Sequence, residues 1–306
     1  MHRCLTLLLV LAAGPASALD YVESSDGLIP PTMDGGRSEV EFADVDDDGN
    51  VDLVSIGDHG SPYINTDQHG IMVWFGDGAG SWDVAMTGNF GYGGIAIGDI
   101  DGDGLWDAAY GMHHDYSGTD LGDQLLEAAL GDGTGRSWSP YDDGLASAGE
   151  EWGMFGTDLA DIDNDGDLDL GSASFGCCSG VHVYRNEGDG TWTHVWGFLG
   201  GNSSMDFAFA DVNADGFADL LTAHEAGTVY LGDVSGSFTN ADANLPGAGS
   251  VRRTPSAGDV DGDGDLDLAF RGSGGSAEVW LFSGDGPWID ASAGLPNSGI
   301  AAVELD

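Results

Sequence analysis

Short runs in which apolar residues alternate with polar or small ones recur along most of the chain. Val40-Glu41-Phe42-Ala43, Ile95-Ala96-Ile97-Gly98 and Phe207-Ala208-Phe209-Ala210 each lead into an aspartate-rich segment, and Asp52-Leu53-Val54-Ser55-Ile56, Asp169-Leu170 and Asp219-Leu220-Leu221 each follow one. A period of two sends successive side chains to opposite faces of a strand, so each pair of runs predicts a β-hairpin closed by an acidic turn. A third apolar run comes next, as in Ile71–Phe75, Val181–Tyr184 and Glu278–Phe282. After it stands a Gly-Asp-Gly turn with an aromatic residue close behind. Examples are Gly76-Asp77-Gly78 with Trp82, Gly131-Asp132-Gly133 with Trp138, Gly188-Asp189-Gly190 with Trp192 and Gly284-Asp285-Gly286 with Trp288; the fourth copy degenerates to Gly232-Asp233-Val234 with Phe238. Four short strands over about fifty residues describe one blade of a β-propeller, with the aromatic residue expected in the blade core. The expected fold class is therefore all-β, a propeller of four-stranded blades with five repeats visible.

The acidic turns share the pattern D-x-[DN]-x-D-G-x-x-D. It occurs as Asp44, Asp46, Asp48, Gly49, Asp52; as Asp99, Asp101, Asp103, Gly104, Asp107; as Asp161, Asp163, Asp165, Gly166, Asp169; as Asp211, Asn213, Asp215, Gly216, Asp219; and as Asp259, Asp261, Asp263, Gly264, Asp267. The copies start 55, 62, 50 and 48 residues apart. Positions 1, 3 and 5 put three side-chain oxygens on one side of a curling loop, and glycine at position 6 permits the sharp turn. A backbone carbonyl at position 7 (Asn50, Leu105, Asp167, Phe217, Asp265) can then point inward, and the aspartate at position 9 is expected to close the shell with both oxygens. Such an all-oxygen cage suits Ca²⁺, which accepts six to eight oxygens, better than Mg²⁺ or softer metals. Up to five calcium ions are expected. Without a cation the clustered carboxylates should repel one another and leave the loop poorly ordered. An EF-hand is excluded, because position 12 is Ser55, Tyr110, Ser172, Thr222 or Phe270 rather than glutamate.

These units resemble the FG-GAP and VCBS repeats of integrin alpha-subunit-like propellers. Phe155-Gly156-Thr-Asp-Leu-Ala-Asp161 carries the Phe-Gly lead-in, and Phe42-Ala43-Asp44 and Phe209-Ala210-Asp211 carry the VCBS form. The resemblance covers nearly all of the chain beyond its leader and implies calcium in the loop between the first two strands of each blade. No Gly-Ala-Pro element and no Arg-Gly-Asp is present, and Asp290-Ala-Ser292-Ala-Gly294 stops short of D-x-S-x-S, so an integrin-type adhesion mechanism is not implied. The family usually closes with seven blades. Five loops predict a propeller truncated from a larger one; a closed five-bladed ring completed by an end strand is the alternative. Trp288–Pro296 resembles Tyr21–Pro30, each reading as the end of a blade that leads into a new first strand.

Charge narrows the partners. The 306 residues hold 53 Asp and Glu against 7 basic residues, all arginine, for a net charge of −46. No basic patch is available for phosphates, which argues against nucleic acid and against an anionic membrane surface. The apolar content of 41% and nine tryptophans argue against a solvated coil. Residues 1–18 combine His2 and Arg3, the apolar run Leu5–Ala13 and the small-residue site Ala16-Ser17-Ala18, the composition of an export leader cut before Leu19. The expected organisation is a leader over 1–18 and a propeller domain over 19–306, secreted to the extracellular or periplasmic space. No later segment is long and apolar enough to insert as a transmembrane helix.

The far ends of the second strands carry His59, His113, His114, Cys177, Cys178 and His224, which could converge at one rim as a ligand or transition-metal site, or simply be solvated. Adjacent Cys177 and Cys178 can be a strained vicinal disulfide or two thiols. Two function classes follow. One is a non-catalytic calcium-binding module for a protein or glycan ligand. The other is a secreted polysaccharide-acting enzyme using the histidine-bearing loops. The first is favoured because each strong motif has a structural explanation.

Overall fold

The structure, a computed structural model, describes residues 24–28, 39–57, 67–113, 119–150, 153–174, 176–177, 180–246, 255–272, 274–284, 287–300, 303 and 305. The proposed leader lies outside them. The described residues form strands and turns with no helix. Blade 1 comprises β1 (Val40–Ala43), β2 (Asp52–Ile56), β3 (Ile71–Gly76) and β4 (Trp82–Thr87); blade 2 comprises β5 (Ile95–Gly98), β6 (Asp107–Gly111), β7 (Leu126–Gly131) and β8 (Trp138–Pro140). Blade 3 is built from β9 (Met154–Ala160), β10 (Asp169–Ser174), β12 (Val181–Asn186) and β13 (Trp192–Phe198). Blade 4 contains β14 (Asn202–Ala210), β15 (Asp219–His224), β16 (Gly227–Leu231) and β17 (Thr239–Asn240), and gains a fifth strand, β11 (Gly176–Cys177), from the blade 3 loop. Blade 5 contains β18 (Ser256–Gly258), β19 (Asp267–Arg271), β20 (Ala277–Leu281) and β21 (Ile289–Asp290). All pairings within blades are antiparallel.

The period-two pattern explains the sheets, and alternation then decides how they stack. In blade 1, Val54, Ile56, Ile71, Val73 and Phe75 share a cluster with Ile95, Ala108, Tyr110 and Trp138 of blade 2. Leu126 and Met154 join blades 2 and 3, Val183 and Phe207 join blades 3 and 4, and Leu221 and Phe270 join blades 4 and 5. Removing such side chains from water is the main force holding neighbouring blades together. Five blades are thus linked by four apolar interfaces. Among the described residues none joins blade 5 to blade 1, so the closed five-bladed alternative is not found and the ring is open. Phe42 reports the open face. Its counterparts Ile97, Leu159 and Phe209 pack into the preceding interface, whereas Phe42 is 68% exposed.

The tryptophans do more than fill cores. Trp82 Nε1 donates to Ser24 O, Trp192 Nε1 to Tyr141 O and Trp288 Nε1 to Ala241 O, at 2.7, 2.7 and 3.0 Å. Tyr141 and Ala241 belong to segments arriving from the blade before, and Ser24 to the segment that precedes blade 1. In blades 3 and 5 the indole therefore clamps one blade to another, a role the core expectation missed. Trp138, in blade 2, is buried and its Nε1 has no hydrogen-bond partner.

Candidate metal centres

Each acidic motif forms the turn between the first two strands of its blade, and the register confirms a hairpin: Ala43 faces Asp52, Gly98 faces Asp107, Ala160 faces Asp169, Ala210 faces Asp219 and Gly258 faces Asp267. The position 6 glycines, Gly49, Gly104, Gly166, Gly216 and Gly264, all lie between φ 87° and 103°, a region that costs other residues roughly 1–2 kcal/mol. Position 4 is left-handed as well, at Asp47, Gly102, Asn164, Ala214 and Gly262, with φ of 53° to 80°. Sequence reasoning passed over this position. Gly, Asn and Asp enter the left-handed region readily; Ala214 is the exception and strains loop 4.

The loops are ordered by their own amides. In loop 1, Asp48 N donates to Asp44 Oδ1 and Gly49 N to Asp44 Oδ2, and loops 3, 4 and 5 repeat the pair at Asp161, Asp211 and Asp259. In loop 2, Gly104 N donates to Asp99 Oδ2. The position 5 aspartates accept from the position 7 amides at 2.8–3.0 Å in all five loops. These N–H dipoles offset part of the repulsion between the carboxylates.

Position 9 has a second task. Asp52, Asp107, Asp169, Asp219 and Asp267 are buried, and both oxygens of each already accept a backbone N–H. One bond comes from position 2 (Val45, Ile100, Ile162, Val212, Val260) at 2.8–2.9 Å. The other comes from the end of the third strand or just beyond it (Gly76, Gly131, Asn186, Gly232, Phe282) at 2.7–2.9 Å. These bonds make the residue a fastener between loop and sheet, and each oxygen keeps a second lone pair with which it could meet an ion. Burial raises the pKa of Asp107 and Asp219 to about 6 and that of Asp169 to about 7, against the lowering effect of the two amides. Asp52 shifts upward for the same reason.

Four loops bring three carboxylates together, with one oxygen from each within 4.8 Å of the others: Asp44, Asp46 and Asp48; Asp99, Asp101 and Asp107; Asp161, Asp163 and Asp169; Asp259, Asp261 and Asp263. Loop 4 has Asn213 at position 3, and its Nδ2 donates to Asp215. The fit to a hard cation rests on two atoms. Asp46 Oδ1 and Asp163 Oδ1, both at position 3, are buried without a hydrogen-bond partner, which is costly unless a positive centre faces them. An all-oxygen donor set of this kind matches the preferences of Ca²⁺. Beside loop 3, Arg185 lies 4.0 Å from Asp163 and pairs with Glu187 at 2.7 Å.

Of the rim candidates among the described residues, the two histidines have separate surroundings. His113 is buried against Tyr92 and Phe155. His224 is buried with Nε2 on Gly200 O and Nδ1 accepting from Ala226 N. Cys177 lies on β11, beside Asn202 of β14; His59, His114 and Cys178 fall outside the described residues. A different group, absent from the candidates, converges instead. Glu150 accepts from Tyr184 OH and lies 3.4 Å from His182 Nδ1, which is 3.1 Å from His194 Nε2. Its residues come from the blade 2–3 link and two strands, and spacing alone offered no signal for it.

A family profile described as an FG-GAP-like repeat matches residues 161–222 and 221–270. The chain carries FG-GAP-like repeats. These two matched stretches hold the third, fourth and fifth loops. No curated protein matches the sequence. Among solved structures, the V. cholerae biofilm matrix protein Bap1 is similar with a TM-score of 0.46 and 19% identity, over 86% of this chain and 40% of that one. The chain thus spans less than half the length of that protein.

Proposed function

We propose that this chain is an exported, calcium-binding β-propeller module without a catalytic centre, which binds a protein or glycan. The observation that carries the reading is the pair of buried, partnerless oxygens, Asp46 Oδ1 and Asp163 Oδ1, in clusters of hard donors. In this reading positions 1, 3 and 5 supply side-chain oxygens, Asn50, Leu105, Asp167, Phe217 and Asp265 supply backbone carbonyls, and position 9 contributes the lone pair that each of its oxygens keeps beside an amide bond. Up to five ions would offset ten negative charges, which relieves self-repulsion in a chain of net charge −46. The chain's own chemistry then amounts to holding rigid blades and presenting loops. The enzyme alternative drew on rim histidines, and the burial of His113 and His224 gives it no support. The leader over 1–18 supports secretion, and the lack of basic residues supports partners other than nucleic acid or an anionic membrane surface.

The test is a calcium titration of thermal unfolding, followed by binding to immobilised glycans and matrix proteins with and without chelator. A rise in melting temperature with calcium, and capture that is lost on chelation, would support the reading. A melting temperature indifferent to calcium and chelator would overturn it.

A further inference from the structure

The acidic loops touch one another. Asn164, at position 4 of loop 3, stands between Asp163 and Asp165, and its Nδ2 donates to Gly216 O of loop 4 at 3.0 Å. Leu266 N, at position 8 of loop 5, donates to Val212 O of loop 4 at 2.9 Å. Loops 2 and 3 are joined through Asn186, at the end of the third strand of blade 3. Its backbone N–H holds Asp169, and its Nδ2 donates to Ile100 O of loop 2 at 3.0 Å and to Leu168 O of loop 3 at 3.3 Å. Loops 2 to 5 thus form one hydrogen-bonded series across four blades. Among the described residues, loop 1 shares no hydrogen bond with loop 2.

The linking groups lie beside the atoms that would hold an ion. Gly216 donates its own N–H to Asp211 Oδ2, and its carbonyl belongs to the peptide that leads into Phe217 at position 7. Ile100 and Val212 stand at position 2, between ligand positions 1 and 3, and their N–H groups hold Asp107 and Asp219. Two of the links come from residues that differ between repeats. Position 4 is Asp47, Gly102, Ala214 or Gly262 in the other loops, none of which carries a side-chain N–H, and the place of Asn186 is taken by Gly76, Gly131, Gly232 and Phe282. Loop 4 has the poorest donor set, with Asn213 in place of a carboxylate and a left-handed Ala214. It is also the loop whose backbone carbonyls are held directly by both neighbouring loops.

We propose that loops 2 to 5 take up calcium cooperatively, each ordered loop aligning its hydrogen-bonded neighbour, while loop 1 fills on its own. The proposal rests on the calcium reading above. An ion that fixes one loop lowers the ordering cost of the next, so the second ion binds more tightly. Electrostatics alone gives the opposite sign, because an ion in one loop weakens the negative field that draws an ion to its neighbour. Positive coupling is therefore the signature of the hydrogen bonds. One such bond corresponds to about fivefold in an equilibrium.

The experiment follows the amide signals of Gly49, Gly104, Gly166, Gly216 and Gly264 by NMR as calcium is added to the chelator-stripped full chain, which gives one curve for each loop. Wild type is compared with Asn164→Gly. This exposed substitution conserves charge, removes the side-chain donor and places in loop 3 the residue that loops 2 and 5 carry. Expected in the wild type are steep curves with a shared midpoint for the last four glycines and a one-site curve for Gly49. In Asn164→Gly the Gly216 midpoint should move about fivefold to higher calcium, with Gly49 unmoved. One-site curves with separate midpoints throughout the wild type overturn the proposal, as does a Gly216 curve indifferent to the substitution. If none of the five signals responds to calcium, the calcium reading itself falls and this proposal with it; independent filling sinks the proposal alone.

Discussion

Asp169→Asn separates the two roles that position 9 can play. Asp169 is fully buried, with Ile162 N on Oδ2 and Asn186 N on Oδ1, both at 2.8 Å. Asparagine has nearly the same shape but only one acceptor. Whichever way the amide turns, its NH₂ faces one of two backbone N–H groups and leaves that donor unsatisfied away from water. An orphaned buried donor costs about 1–3 kcal/mol, which makes local opening of the loop about 5- to 140-fold more frequent. The assay is native-state amide exchange of Ile162 and Asn186, run with chelator and with calcium. The expected result is faster exchange at one or both amides under both conditions, confined to blade 3 and its neighbours because each blade touches only those beside it. Unchanged protection with chelator, and a loss visible only with calcium, would refute the reasoning, since Asp169 would then act through the cation alone.

Asp46→Asn and Asp163→Asn should behave in the opposite way, reducing the calcium-induced rise in melting temperature while leaving the chelator-treated protein nearly unchanged; each filled loop is worth about 2.7 kcal/mol at a hundredfold excess of ion over its dissociation constant. Acidity supplies another check. Burial lifts Asp107 and Asp219 to about 6 and Asp169 to about 7, above the roughly 3.9 of an unfolded aspartate, so their contribution is complete below that value and is lost as pH rises through 6 to 7. Chelator-treated protein should therefore melt lower at pH 8 than at pH 5, and calcium, which binds the ionised loops, should reduce or invert the trend; a chelated melting point that climbs over this range would contradict the assignment. Trp192→Phe and Trp138→Phe both shrink a buried ring, but only the first also loses a hydrogen bond, to Tyr141 O, so Trp192→Phe should cost about 1 kcal/mol more in chemical denaturation. Ala214→Gly should relieve the φ of +53° in loop 4 and raise stability by up to about 1 kcal/mol.

Much of this protein is legible in its residues because the information is local. Alternation at period two specifies each strand and its two faces, and the nine-residue motif specifies the hairpin turn, the left-handed glycine and the crowding of acidic side chains in one loop. All of these span fewer than a dozen residues, a range over which backbone sterics and side-chain to amide bonds act directly. The His113 and His224 positions show where that reach ends. Both sit at matched places after their loops, yet one is taken up by aromatic packing and the other by two backbone groups from the adjoining turns.

Sequence by itself determined the blade, its repetition, the acidic loops and the scarcity of positive charge. Tertiary structure decided what those parts do to one another. The position 9 carboxylates take their second amide from the end of a strand that pairing alone brings near, and the indoles find carbonyls 58, 51 and 47 residues away. Whether the blades close is likewise set by how each sheet twists against the next. Hydrogen-bond partners at such separations depend on which strands come to lie side by side, and that follows from burying apolar faces across the whole arc rather than from any one segment.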